Sequence, residues 1–336
     1  MEKIRWGLIS TANINKALLD PIRQAERSEL VGVASRDLDK AKAYAEKQNM
    51  PKAYGSYEEM LADPDIDVVY NPLPNLLHAE WTIKAADAGK HVLCEKPLVT
   101  TMAHFDQVEA AATRNNVTVF EAFMYLHHPQ TLKLQEMIRE GKLGTLQQIT
   151  SQFHFYLDPS QSQNIRLSAP LHGGCTWDVG VYPHSMALTM AQAGGAGDVP
   201  EEVYAHQIVG ETGVDVAMRV QMRYANGLSA QISSSFRTPF REGADLIGSD
   251  GALHVAEPWK PGLSGNESRI VFNHRTDGST NIVTPQIDPY LCEVQAMEAC
   301  ILDGADPVVP LSQSRHFLRT VLASYESAQT GQPVRL

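Results

Sequence analysis

The amino-terminal part of the chain alternates between short apolar runs and amphipathic segments. The apolar runs predict β-strands at 4–10, 30–35, 68–71, 91–94 and 117–120. The segments between them predict helices at 37–48, 56–62, 78–88 and 101–114, and Asp37 is suited to cap the first of these. Because strands that alternate with helices are typical of βαβ units, this part predicts a doubly wound, parallel-sheet dinucleotide-binding fold of the α/β class.

A different pattern begins near residue 144. Longer segments in which apolar and polar residues alternate predict strands at 147–157, 202–209, 214–224 and 228–236, with additions at 248–255 and 270–273. Such alternation is typical of an antiparallel sheet with one covered face. Helices are predicted at 288–302 and 312–327. The sequence therefore predicts a Rossmann domain at 1–123 and an α+β domain with a large, mostly antiparallel sheet at 124–336.

The size and charge of the chain narrow the classes of function. A length of 336 residues suits two domains. The 28 basic against 39 acidic residues give a net charge of −11, which provides no basic surface for nucleic acid and argues against an anionic membrane. The start of the chain has no apolar leader segment, and no run of 18 apolar residues occurs. We therefore expect a cytoplasmic protein that acts on small molecules.

The four cysteines have no Cys-x-x-Cys spacing, so we interpret them as reduced thiols. His172 and Cys175 lie close together in the sequence, but no second pair accompanies them. No metal site is predicted.

The turn after the first predicted strand is a candidate phosphate-binding loop. It keeps the first glycine of Gly-x-Gly-x-x-Gly, Gly7, whereas Ile9 and Ala12 replace the other two. Because the segment follows a strand and opens a helical stretch, a pyrophosphate could be received by the backbone N–H groups of Thr11, Ala12, Asn13 and Ile14. A plain strand-to-helix turn is the alternative.

The end of the second predicted strand bears on the choice between NAD and NADP. Ser35 and Arg36 stand where an NAD-specific protein typically offers a carboxylate to the ribose. Arg36 can form charged hydrogen bonds to a 2′-phosphate, which favours NADP. In the alternative, Asp37 binds the ribose of NAD and Arg36 is a solvated surface residue.

The loop Asn71-Pro72-Leu73-Pro74 follows the third predicted strand, and its two prolines make it stiff. With His78 just beyond it, this loop could flank the nicotinamide. A rigid connector without ligand contacts is the alternative.

Glu95-Lys96-Pro97 follows the fourth predicted strand, at the sheet edge where such folds carry their chemistry. A lysine there can hold a substrate hydroxyl and pass protons, and the proline restricts how the loop presents it.

The stretch 172–184 begins with glycines and leads into a predicted helix. Asp178 and Tyr182 are four residues apart, which places them on one face of an α-helix. A tyrosine beside a carboxylate is suited to proton transfer in alcohol oxidation or ketone reduction. A buried tyrosine with a capping aspartate is the structural alternative.

Taken together, these motifs resemble a known family. Ser35-Arg36, Glu95-Lys96-Pro97 and the pattern Gly-Gly-x-x-x-Asp-x-Gly-x-Tyr at 173–182 are similar to the glucose-fructose oxidoreductase and inositol dehydrogenase family, Gfo/Idh/MocA. Segments 53–59, 121–124 and 211–215 are similar to the branch that contains NADP-dependent D-xylose 1-dehydrogenases and dimeric trans-dihydrodiol dehydrogenases.

The resemblance implies roles for individual residues. Lys96 becomes the catalytic lysine, Tyr182 the acid or base, and Asp178 the residue that orients the substrate or tunes those two. Family members tend to have a cis bond between this lysine and the proline. Glu95 and Asn71 would lie beside the nicotinamide, and weaker candidates for lining the sugar site are Glu121, Arg166 and Trp177. Leu126 stands where relatives often carry arginine, which implies a different substrate for this chain if that arginine binds substrate in the relatives.

The hypothesis from the sequence is an NADP-dependent enzyme, with NAD as the alternative cofactor, that transfers a hydride from the carbinol carbon of a sugar or polyol, most similar to D-xylose 1-dehydrogenase. Alternatives are a trans-dihydrodiol dehydrogenase, a keto-sugar reductase, an enzyme that retains its nucleotide through an internal redox cycle, and a non-catalytic NADP-binding regulator. The resemblance also implies a homodimer formed by pairing of sheets, with a tetramer as the alternative.

Overall fold

The computed structural model describes residues 3–161, 163–263 and 265–336, and the chain divides into two units. The first contains Met1–Met124 and Pro289–Ser314, and the second contains Tyr125–Asp288 and Arg315–Leu336. The sequence places the whole of 124–336 in one domain, so the structure differs in assigning 289–314 to the first unit.

Strands and helices alternate in the first unit. Its strands are β1 (Ile4–Ile9), β2 (Ser28–Ala34), β3 (Lys52–Tyr54), β4 (Val68–Asn71), β5 (His91–Glu95) and β6 (Val119–Ala122). Its helices are α1 (Lys16–Gln24), α2 (Leu38–Lys47), α3 (Tyr57–Ala62), α4 (Asn75–Asp87) and α5 (Met102–Asn115), and α8 (Pro289–Asp303), from near the end of the chain, also belongs to it. Asp37, Ser56 and Thr101 cap α2, α3 and α5 by accepting backbone N–H bonds.

Among the described residues, the strands of this unit form one parallel sheet in the order β3-β2-β1-β4-β5-β6. The order reverses between β1 and β4, which is where doubly wound sheets open a crevice at the carboxyl ends of their strands. The predicted parallel-sheet fold is confirmed.

Helix α8 belongs to the first unit because it is bonded to the start of β2. Glu298 accepts hydrogen bonds from the backbone N–H of Arg27 at 3.0 Å and from the hydroxyl of Ser28 at 2.8 Å. Arg27 also forms an ion pair with Asp303 at 2.8 Å. These contacts join segments that are far apart in the sequence, so neither pattern nor composition predicts them.

The second unit contains the longer strands. Its helices are α6 (Pro129–Arg139) and α7 (Val181–Ala193), and most of α9 (Leu311–Thr330) also belongs to it. Its strands are β7 (Leu146–Tyr156), β8 (Glu202–Val209), β9 (Asp215–Arg223), β10 (Ser229–Ser235), β11 (Arg237–Gly248), β12 (Gly251–Val255), β13 (Arg269–His274), β14 (Gly278–Val283) and β15 (Val334–Arg335).

Within the described ranges, these strands form one sheet in the order β14-β13-β12-β11-β7-β10-β9-β8-β15. Neighbours are antiparallel except β7 and β10, which are parallel. Helix α7 packs on β7 and β10 and covers one face. The predicted mostly antiparallel sheet is confirmed, although β11 was not predicted, because its first half is mostly polar and contains Pro239, and Gly243 follows directly.

Candidate active site

The turn after β1 lies at the point where the strand order of the first unit reverses. Ser10 adopts a left-handed backbone conformation, with φ of 70°, and the side-chain amide of Asn15 donates to its carbonyl oxygen at 2.9 Å. Residues Asn13–Asn15 form one 3₁₀ turn that continues into α1. The first N–H groups of such a turn have no partner within the helix, so the residues fit a pyrophosphate.

Gly7 lies inside β1 and is buried. A Cβ atom at this position would lie 2.8 Å from the sulfur of Met60 and 3.1 Å from Ile66. Gly7 therefore permits close packing behind the strand, and Ser10 makes the turn itself. The sequence analysis did not identify Ser10 or Asn15, and the Asn13-x-Asn15 pair after the strand was the available signal.

The residues predicted to choose between NADP and NAD follow β2. The carboxylate of Asp37 accepts hydrogen bonds from the backbone N–H groups of Asp39 at 3.1 Å and of Lys40 at 3.2 Å. The bond from Lys40 is the main cause that lowers the pKa of Asp37. Arg36 is exposed. Asp37 is thus occupied as the cap of α2, whereas Arg36 at the strand end is exposed and interacts with the hydroxyl of Tyr57.

The loop after β4 is fixed by buried polar side chains. The amide of Asn71 donates to the carbonyl of His78 and to the hydroxyl of Thr82, both at 3.2 Å, and its oxygen accepts the N–H of Leu73 at 3.4 Å. The ring of His78 is 1% exposed and contacts two carbonyl oxygens, of Leu73 at 2.5 Å and of Pro97 at 2.7 Å. Burial lowers the pKa of His78 to about 4.

Lys96 lies directly beyond β5 and is half-buried. Its peptide bond to Pro97 is cis, as the resemblance implies. The carboxylate of Glu95 accepts the hydroxyl of Tyr70 at 2.7 Å, and burial raises the pKa of Tyr70, which keeps it a donor. Both residues that flank Lys96 are thus held in place, Glu95 by Tyr70 and Pro97 by His78.

Glu121 lies near the carboxyl end of β6, beside the loop that carries Lys96. It is 6% exposed and accepts the backbone N–H of Leu98 at 2.9 Å. Burial raises its pKa to about 7, although the bond from Leu98 and the charge of Lys96 oppose this rise. The sequence predicts Glu121 to line the sugar site, and the structure shows its carboxyl holding the backbone that follows Pro97.

Glu293 on α8 is a second buried carboxyl that the sequence analysis missed. It is 0% exposed, and neither of its oxygens has a hydrogen-bond partner among the described residues. Burial raises its pKa well above the usual range, and the negative charge of Glu95 adds to the effect. A lone glutamate between the apolar positions of Tyr290, Val294 and Met297 was the available signal.

In the second unit, Thr176–Gly180 form a single π-helical turn that continues into α7. The sequence predicts an α-helix here, with Asp178 and Tyr182 on one face. A π-turn is wider than an α-turn, so the two residues are offset from that alignment, and such turns often occur at functional sites.

Tyr182 lies in the first turn of α7 and is 6% exposed. Its ring packs among aromatic neighbours, with centroid distances of 5.8 Å to Tyr125, 5.5 Å to Phe153 and 5.7 Å to Trp259. The hydroxyls of Tyr125 and Ser185 lie 2.7 Å apart, and Ser185 donates to the carbonyl of Tyr182 at 3.0 Å. This aromatic cluster, which the sequence analysis missed, fixes the orientation of the tyrosine.

Asp178 and Arg166 are brought together as an ion pair. The guanidinium of Arg166 donates to the carboxylate of Asp178 at 2.7 Å, and their side chains are 44% and 17% exposed. Trp177 faces the other way, because its ring lies 5.3 Å from that of Tyr325 on α9 and it is 8% exposed. Asp178, with its partner Arg166, and Tyr182 therefore lie at the amino-terminal end of α7. Trp177 is packed into the interior of the second unit.

Metal and membrane sites are not seen in the described ranges. There, no three His, Cys, Asp or Glu side chains are grouped to hold a metal ion. No described helix is long and apolar enough to cross a membrane.

Two family models match separate parts of the chain. Residues 4–123 match the model of the oxidoreductase family with an NAD-binding Rossmann fold. Residues 131–254 match the GFO/IDH/MocA C-terminal domain.

Individual relatives match over nearly the whole chain. D-xylose 1-dehydrogenase (NADP(+)) 2 of Haloferax volcanii is 38% identical and covers 98% of this chain and 99% of its own. Trans-1,2-dihydrobenzene-1,2-diol dehydrogenase of Xenopus laevis is 30% identical, covering 92% and 93%. A 3-ketoreductase of Actinomadura kijaniata, solved with NADP and TDP-benzene, superposes with a TM-score of 0.87 at 29% identity, covering 97% and 98%. The chain thus belongs to the Gfo/Idh/MocA family of NAD(P)-dependent oxidoreductases.

Proposed function

We propose that this protein is an NADP-dependent dehydrogenase that oxidises the carbinol carbon of a sugar or polyol, in the manner of D-xylose 1-dehydrogenase. The observation that carries the proposal is Lys96, held at the carboxyl end of β5 between Pro97, whose carbonyl oxygen contacts His78, and Glu95, which accepts the hydroxyl of Tyr70. The 38% identity to an NADP-dependent xylose dehydrogenase over nearly the whole chain supports the substrate class.

The cofactor assignment rests on the end of β2. Asp37 is engaged as a helix cap, whereas Arg36 is exposed and can pair with a 2′-phosphate. Ser35 lies beside it, and the turn of residues 10–15 offers N–H groups to the pyrophosphate. The bound dinucleotide supplies the hydride acceptor for oxidation, or the hydride donor for the reverse reaction.

The protein groups handle the proton and the hydroxyl oxygen. In our proposal Tyr182 as the phenolate accepts the hydroxyl proton during oxidation, and as the phenol returns it during reduction, while Lys96 polarises a substrate oxygen. Asp178, paired with Arg166 in the structure, orients the substrate once a hydroxyl competes for that ion pair. Trp177, buried against Tyr325, supports this segment from behind.

A second candidate function is the oxidation of a cyclic diol. The dihydrodiol dehydrogenase at 30% identity supports this alternative.

We also propose that the enzyme works in the cytoplasm as a homodimer. Tyr204 and Ile208 project from the same face of β8 and are 48% and 47% exposed. A second copy of the sheet would cover this face, and a tetramer is the alternative assembly.

Absorbance at 340 nm tests the function directly. Purified protein is mixed with NADP or NAD and a panel of aldoses, inositols and cyclic diols, and with NADPH and keto-sugars for the reverse direction. Turnover with D-xylose and NADP supports the first candidate, and turnover with diols alone supports the second. Dinucleotide binding without turnover in either direction contradicts both and favours a regulator.

A further inference from the structure

The carboxylate of Asp215, at the start of β9, is the centre of a buried hydrogen-bond network. It is 4% exposed. Its Oδ1 accepts the hydroxyl of Tyr325 at 2.7 Å. Its Oδ2 accepts the N–H of Thr176 at 2.8 Å, the hydroxyl of Thr176 at 2.7 Å and the thiol of Cys175 at 3.0 Å.

The donors around Asp215 are suited to stay donors. Burial, together with the charge of Asp215, raises the pKa of Cys175 and of Tyr325 well above their usual ranges, so both keep their protons. A buried carboxylate costs free energy unless such donors surround it. The four bonds therefore form one unit, in which the loss of the acceptor would leave several donors without a partner.

Gly174 makes this arrangement possible. Its φ is +128°, and a Cβ atom there would lie 2.1 Å from Oδ1 of Asp215. A side chain at this position would push the carboxylate out of the network. The second glycine of Gly173-Gly174 is thus explained by the close approach of Asp215, a relationship between segments forty residues apart.

The network holds the segment that carries Asp178 and Tyr182. Thr176 opens the π-helical turn, and Tyr182 follows in the next turn of helix. A second link lies just beyond, where the ring of His184 contacts the carbonyl of Gly180 at 2.7 Å and the hydroxyl of Ser324 at 3.0 Å. The amino-terminal end of α7 is therefore fixed on both sides of Tyr182, to β9 through Thr176 and to α9 through His184.

We propose that Asp215 is a positioning residue for Tyr182, which sets the place of the proton-transferring hydroxyl by anchoring the π-helical turn. The inference rests on the proposed function of Tyr182. Displacement of a reacting group by about 1 Å can cost up to about 100-fold in rate. Asp215 contacts the turn and not the reacting atoms, so its loss should lower kcat and leave dinucleotide binding intact.

The test compares Asp215→Asn with Tyr325→Phe and with the control Asp245→Asn. Asparagine keeps the size of the side chain, but only its amide oxygen can accept hydrogen bonds, whereas both oxygens of the aspartate accept them. We expect kcat to fall by about 10-fold to 100-fold, with KM for NADP within about twofold. Tyr325→Phe removes one bond and keeps the ring against Trp177, so a smaller fall in kcat is expected. Asp245 is an exposed carboxylate on β11 that contacts His254, and its substitution should change nothing.

A double-mutant cycle separates positioning from general stability. In the Tyr182→Phe background, Asp215→Asn should cause no further loss of turnover, because the group it positions is already absent. An equal loss in both backgrounds, or wild-type kcat in Asp215→Asn, overturns the inference. If Asp215→Asn does not fold, Tyr325→Phe carries the same cycle. Full turnover in Tyr182→Phe alone contradicts the proposed function of Tyr182, which is a distinct outcome.

Discussion

His78 and Pro97 are joined through a buried contact, in which Nδ1 of the imidazole lies 2.7 Å from the proline carbonyl oxygen. The other ring nitrogen lies 2.5 Å from the carbonyl of Leu73. One side chain on α4 thus ties the loop after β4 to the loop that presents Lys96. The sequence predicts His78 as a neighbour of the nicotinamide, and the structure shows its ring in contact with both the loop after β4 and the loop after β5.

Replacement of His78 by leucine should weaken both loops. The two carbonyl oxygens lose the ring nitrogens that face them, which costs about 1–3 kcal/mol when the groups stay buried. We expect a lower midpoint in chemical denaturation and a weaker Kd for NADP by calorimetry. His104→Leu, on the first turn of α5, is the matched control. An unchanged midpoint and Kd would show that the contact does not stabilise the loops.

Replacement of Lys96 by methionine should abolish most turnover but keep the dinucleotide bound. The variant retains the length of the side chain and removes its charge and donors, so kcat should fall by at least about 100-fold. NADP affinity, measured by calorimetry, should change only a few fold. Lys42→Met, on the exposed face of α2, serves as the control. Retention of wild-type turnover would remove Lys96 from the mechanism.

Replacement of Arg36 by alanine should shift the preference from NADP toward NAD. Charged hydrogen bonds to a phosphate contribute roughly 1.5–3 kcal/mol, so KM for NADP should rise by about 10-fold to 100-fold while KM for NAD changes little.

Asp37→Ala distinguishes this interpretation from the NAD alternative. Because Asp37 caps α2, its removal should lower the midpoint of chemical denaturation, and the ratio of kcat/KM for the two cofactors should stay the same. A selective loss of NAD use in this variant would instead assign Asp37 to the ribose.

Glu121 should make stability depend on pH. Its pKa in the folded protein is raised to about 7, from 4.5, so the folded state holds a proton that the unfolded state releases between these values. The free energy of unfolding contributed by Glu121 is therefore fully present below about pH 4.5 and is lost as pH rises to about 7, by up to about 3 kcal/mol.

Glu121→Gln removes this dependence, because the amide cannot ionise. Relative to wild type, the variant should gain stability steadily from about pH 4.5 to pH 7, as measured by denaturant midpoints. Glu46→Gln, an exposed carboxyl on α2, is the control. A constant difference between Glu121→Gln and wild type across this range would contradict the buried, raised pKa.

Much of the fold follows from the local pattern. Strand β4 lies where the apolar run predicts it, and helices begin as predicted at Asp37, Ser56 and Thr101, of which Asp37 was also predicted as a cap, because capping depends on residues within one turn. Strand β11 was missed because Pro239 and Gly243 interrupt the alternation of apolar and polar residues along it. The π-helical turn at Thr176–Gly180 was also missed, since one extra residue per turn leaves no signature in an otherwise helical segment.

The residues of the candidate site also divide into those that a local motif predicts and those that depend on contacts between distant segments. Motif residues such as Lys96 and Arg36 could be singled out from their place after a strand. The partners that fix them could not, because the pairs Asp178 with Arg166 and Asp215 with Tyr325 arise only when distant segments meet. The burial of Glu121 likewise depends on the pairing of β5 with β6 and is absent from its local sequence.

The placement of α8 has a consequence for how the chain is made. The first unit needs Pro289–Ser314 to complete itself, since Glu298 satisfies the backbone at the start of β2. A ribosome therefore releases nearly the whole polypeptide before the dinucleotide-binding half has all its parts. Cutting the gene after residue 124 would leave α1 and the start of β2 without their contacts to α8, so an isolated cofactor-binding fragment should instead be built by splicing 289–314 onto 3–124 through a short linker.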